Sequence, residues 1–150
     1  MTSLRDYKPL RLMAGDAEDL GVISACLQDA VAKLGDFAFI PEERRFAIVA
    51  NRFLWECAGE RHAGPFARVR AGLHFDDVKS ARFQHLRTDA KDAVVELLAL
   101  RFEPGDDGAG EIIFDFAGGG VIRLEVESVN AYMSDISEPW RTRAKPKHEK

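Results

Sequence analysis

Three stretches of the chain alternate apolar and polar residues with a period of two. Ala67, Val69, Ala71, Leu73 and Phe75 interleave with Arg68, Arg70, Gly72 and His74. Ile112, Phe114 and Phe116 stand among Glu111, Ile113 and Asp115, and Ile122, Leu124 and Val126 among Arg123, Glu125 and Glu127. Successive side chains of an extended chain point to opposite faces, so each stretch is a strand with one face buried and the other in water. The last two are joined by Ala117-Gly118-Gly119-Gly120, whose glycines accept the positive φ of a tight hairpin. A flexible hairpin loop, Pro104 to Gly110, precedes them.

Other strands follow from shorter signals. Leu10 to Met13 reads as a short strand, and Ala30 to Ile40 as an extended segment with a glycine bulge at Gly35. Pro41-Glu42-Glu43 sets a turn, so residues 36–54 form a hairpin, and Val78 to Leu86 and Val129 to Met133 add further strands. Ala93 to Phe102 is almost continuously apolar, which suits a central strand or a short helix, with a strand favoured for its second half. One helix is expected, Ala17 to Gln28. Asp16 is its N-cap, Glu18 and Asp19 oppose the helix dipole, and Leu20, Ile23 and Leu27 form its stripe beside Cys26. The expected class is α+β: an antiparallel β-meander of six to eight strands, curved or barrel-like, with the N-terminal helix packed on it. A PH-like arrangement is one candidate. The alternative is an open sheet with helix 17–28 and a second helix near 89–98 on the same face.

The length of 150 residues suits one domain, and 46% hydrophobic with 31% charged residues excludes a disordered chain and a membrane span. Residues 141–150 carry five cations, one carboxylate and no large apolar side chain, so they read as a disordered basic tail. Removing that +4 segment from a total of −4 leaves residues 1–140, the single globular domain, at −8. An acidic body argues against nucleic acid as partner, and the tail lacks the interleaved aromatic residues of a stacking platform. Lys8, Pro9 and Arg11 interrupt any signal-like apolar run, and a reducing cytoplasm fits the two thiols, Cys26 and Cys57.

Residues 10–20, Leu-Arg-Leu-Met-Ala-Gly-Asp-Ala-Glu-Asp-Leu, then Leu27-Gln-Asp-Ala-Val31, then Ile40-Pro-Glu-Glu-Arg-Arg-Phe-Ala-Ile-Val-Ala-Asn-Arg-Phe-Leu-Trp-Glu56, resemble a family of short, uncharacterised bacterial proteins, chiefly alphaproteobacterial. The similarity continues through Arg70-Ala-Gly-Leu-His-Phe75 and Phe116 to Glu127 and leaves only the basic tail outside. The resemblance implies a stand-alone cytoplasmic protein and carries no assigned activity or catalytic residues.

Chemistry-bearing residues are scattered. His74 with Asp76 and Asp77 is the nearest approach to a metal site, but His-x-Asp before a turn is common, and neither a metal nor a cofactor is expected. Cys57 and His62 are the best nucleophile and base candidates, without a supporting signature. The glycines of 118–120 lack the lysine and helix of a phosphate loop. The most suggestive surface is a cationic row of Arg68, Arg70 and His74, with Arg82 on a neighbouring strand, able to grip an anion or a partner's acidic patch. The plain alternative is a face neutralised by Glu125 and Glu127. The expectation is therefore a non-catalytic binding or scaffold module using its sheet face or edge, with homodimer pairing through an open edge. The rival is a small enzyme or small-molecule binder with a pocket inside the sheet or under the helix, built from residues such as His74, His85 and Glu96.

Overall fold

A computed structural model of the chain describes residues 7–54 and 66–142. Strand β1 (Arg11–Ala14) leads into α1 (Ala17–Leu27), then β2 (Val31–Lys33), β3 (Phe37–Ile40), β4 (Arg45–Phe53) and β5 (Phe66–Phe75). There follow β6 (Val78–Gln84), β7 (Val94–Pro104), β8 (Gly110–Phe116), β9 (Val121–Val126), β10 (Ala131–Asp135) and β11 (Trp140–Thr142). Asp16 caps α1 as expected, its Oδ1 accepting from the Asp19 N–H at 2.8 Å. Gly118 and Gly119 turn the β8–β9 hairpin with φ of 88° and 96°.

The eleven strands pair antiparallel in the order β1-β10-β5-β4-β2-β7-β8-β9-β6, with β3 also on β4 and β11 on β5. This corrects the expected six to eight strands, and the meander too: only β3-β4-β5 and β7-β8-β9 follow sequence order. The barrel-like, PH-like closure does not form, because among the described residues β1 and β6 end the order without meeting. The second helix near 89–98 is also absent, since β7 occupies Val94 onward. The expected segment 30–40 is two strands split by a 3₁₀ turn over Leu34–Asp36 rather than one strand with a bulge. Gly35 causes the split: its N–H donates to Lys91 O at 2.8 Å, and a Cβ there would stand 3.0 Å from that oxygen. Glycine lets the two backbones approach this closely without either having to shift.

The sheet folds over on itself along β7. The start of β7 pairs with β2 through Val94–Glu96, the remainder pairs with β8, and a register shift lies between Leu97 and Ala99. On β8, Phe114 is three places from β4 in the strand order, yet its ring centroid is 5.9 Å from that of Phe46 and 5.4 Å from that of Phe75. Three strand spacings in a flat sheet are about 14 Å, so the leaves face each other. The core lies between them, with Leu20, Ile23 and Leu27 of α1 closing one side.

The helix also completes the ladder. Where β2 runs out, the Leu100 N–H of β7 donates to Ser24 Oγ on α1 at 2.9 Å. Replacing Ser24 with Ala leaves that donor without its partner and is expected to lower unfolding free energy by about 1–3 kcal/mol in urea titrations. No change would show that solvent reaches Leu100.

A second buried feature locks the N-terminal segment down. Arg52 on β4 and Asp135 on β10 have fully buried side chains and form a bidentate pair, Nε–Oδ1 and Nη2–Oδ2 each at 2.9 Å. Asp135 Oδ2 also accepts from the Tyr7 hydroxyl at 2.6 Å and the Leu10 N–H at 2.9 Å.

Candidate functional site

Alternation along β5 does set Arg68, Arg70 and His74 on the outer face, but their surroundings differ. Arg68 is half-buried, lies 5.7 Å from the Phe53 ring centroid, and donates from Nη1 to Asp29 O and Asn51 O at 3.4 and 3.3 Å. Burial lowers its pKa, opposed by the charges of Asp29 and Glu96. It braces the ends of β4 and β5 rather than facing water. His74 stacks on Tyr132 of β10 with centroids 4.7 Å apart, its buried Nδ1 3.5 Å from Asp76 Oδ1. Arg45 holds the same oxygen at 2.7 Å. Burial works to raise the Asp76 carboxyl, but Arg45, with help from His74, keeps it below the ordinary carboxylate value.

Arg82 does not join this row. It lies on β6, at the far end of the strand order, and binds Glu111 at 2.8 Å. The carboxylates expected to neutralise β5 are engaged with other cations: Glu125 of β9 binds Lys79, and Glu127 binds Arg44.

Arg70 is the cation left available. Its Nε donates to Asn51 Oδ1 at 3.3 Å, and among the described residues no carboxylate lies within 4 Å of its guanidinium. The outward arginines Arg82, Arg101 and Arg123 each meet a carboxylate, at 2.8, 2.8 and 3.0 Å. The neighbours of Arg70 come from elsewhere in the chain. Strand β2 pairs with β4 only at Val31–Asn51, and β3 takes up pairing at Phe37–Ile48, so Val49 and Ala50 have no strand partner on that side. The intervening chain bows outward to Lys91 and Ala93, held by N–H donation from Gly35 and Leu34.

The bow opens an outer cleft of about 580 Å³, walled by Lys33, Gly35 and Asp36, by Val49 to Asn51, by Arg70, and by Lys91, Asp92 and Val94. Three cations face two carboxylates there, net +1 on a body that is otherwise acidic. Lys33 is 4.0 Å from Asp92, and Lys91 has no ion pair among the described residues. Lys33, Lys91 and Asn51 lie in three segments far apart in sequence, so no local pattern joins them.

The rival site is not assembled from the residues expected for it. His85 is exposed just past β6, Glu96 is on β7, and neither they nor His74 line the interior cavity. That cavity is about 20 Å³ and is bounded solely by apolar side chains, among them Phe37, Leu73, Phe114 and Phe116. Among the described residues no three His, Cys, Asp or Glu are grouped to hold a metal, and no helix is long and apolar enough to cross a membrane. Cys57 and His62 lie outside the described residues, as does the tail beyond Thr142, whereas Arg141 and Thr142 pair with Ala67 and Phe66 in β11.

A family model described as a protein of unknown function, DUF2948, matches residues 10–148, reaching into the basic segment that the resemblance had left aside. No curated protein and no solved structure matches the chain.

Proposed function

The chain belongs to the DUF2948 family, whose function is unknown, and we propose that it is a non-catalytic cytoplasmic binding module that takes an anionic partner in the β2–β4 cleft. The observation that carries this reading is a pair of cations, Arg70 and Lys91, that have no ion pair among the described residues, in a cleft walled by four separate segments. An arginine with a fixed fork and no carboxylate suits recognition of a planar anion. Asn51 orients that fork by holding Nε. Strands β1 and β6, which end the sheet, offer the edges on which a second copy would pair.

Arg70→Glu tests the reading. Its side chain is exposed, so the unfolding midpoint is expected to stay put while affinity for an anionic ligand falls about tenfold or more. The readout is titration of purified protein with acetate and with inorganic phosphate, beside affinity capture of proteins and metabolites from the native cell. Unchanged affinity for every captured anion would remove the cleft from consideration.

A further inference from the structure

The cleft and the interior cavity share two wall residues, Ala32 and Ala50. Ala50 points inward from β4, with 8% of its surface exposed, at the place where that strand lacks a partner on one side. Ala32 of β2, opposite Val95 of β7, packs against the same core. Ala32 and Ala50 thus border both the cationic cleft and the apolar void between the leaves. Strand pairing elsewhere along β4 seals the sheet; here the bow held by Gly35 keeps it parted.

Building on the anion reading above, we infer that the ligand is a short-chain alkyl carboxylate, its carboxylate on Arg70 and Lys91 and its hydrocarbon end passed between β2 and β4 into the cavity. Charge selects a monoanion: the cleft carries a net +1, and Arg70, with Nε held by Asn51, keeps its two Nη groups for one planar carboxylate. The void of about 20 Å³ is close to the minimum that holds one small group, so it accommodates only the last carbon or two of a chain without side chains moving. Because its lining is apolar, the void gains by receiving a methyl or methylene group rather than water.

The experiment is calorimetric titration of the full chain with acetate, butanoate, hexanoate and octanoate. Affinity is expected to rise about fourfold for each methylene that enters the void and then to level off within a few carbons. In Ala50→Leu the added bulk fills the slot, so the gain with chain length should vanish while acetate binding persists. Since that variant can lose stability, nuclear Overhauser contacts in the unaltered protein provide a second measurement: the terminal methyl of butanoate should touch the Phe37 and Phe116 rings. A flat series with acetate still bound overturns insertion and leaves the anion cleft standing. If no carboxylate binds at all, both readings fall. A rise that persists in Ala50→Leu, without contacts to either ring, puts the chain elsewhere and overturns the slot.

Discussion

Replacing Arg52 with Met is expected to cost about 3–5 kcal/mol of stability, because it strands the Asp135 carboxylate in a site with no solvent exposure. The double change Arg52→Met with Asp135→Leu should recover part of that loss, since a buried pair is worth far less than the penalty for breaking it. Recovery will be incomplete, because Tyr7 and the Leu10 N–H still lose their acceptor. Urea unfolding of the two variants checks both statements, and a loss under about 1 kcal/mol for the single change would mean that water solvates the site.

Acid should act on the same pair. Burial alone would raise the Asp135 carboxyl; the Arg52 hydrogen bonds and charge, the Leu10 N–H and the Tyr7 hydroxyl together outweigh it and hold the group below the ordinary carboxylate range. A carboxyl depressed on folding contributes stability that is complete above its unfolded pKa and is lost as pH falls through the folded value. The pair therefore protects the fold at neutral pH and fails progressively below about pH 4. In Asp135→Asn that part of the acid limb should flatten.

The second large effect is expected from Phe114→Ala, at about 3–5 kcal/mol. Phe114 is 1% exposed and meets the rings of Phe46 and Phe75 across the two leaves, so no neighbour can collapse into its place without moving a strand. For a chain of this length the melting temperature should fall on the order of 10 °C. Leu98→Ala, on the same sheet but 46% exposed, should change stability by less than about 0.5 kcal/mol. Equal effects from the two would contradict the packing between the leaves.

Periodicity located the elements well and their neighbours poorly. The helix and its Asp16 cap, and the strands around Leu73, Phe114 and Leu124, were legible because each is set by spacing within ten or so residues. Strand order was not: β6 leaves its sequence neighbour β5 and pairs with β9, placing Arg82 far from Arg70. The burial of Arg52 was invisible for the same reason, since Asn51-Arg52 reads as a polar strand end and its partner lies 83 residues downstream. Of the cationic row, Arg70 alone has neither a carboxylate nor a ring against it among the described residues, because the packing of Arg68 on Phe53 and the stacking of His74 on Tyr132 depend on strand register. The Lys33 and Lys91 walls of the cleft meet only through the close approach at Gly35, a contact that no single-segment pattern announces.

Pairing of β1 with β10, from Arg11–Ser134 to Ala14–Ala131, sets the order of events during synthesis. Leu10 to Met13 leaves the ribosome well ahead of its strand partner, which is made more than a hundred residues later. At about 5–20 residues per second, this apolar segment waits on the order of ten seconds without its partner. Its docking brings Tyr7 and Leu10 onto Asp135, so this edge of the sheet cannot close until β10 has been made, and Leu10 and Leu12 stay without their packing partners until then.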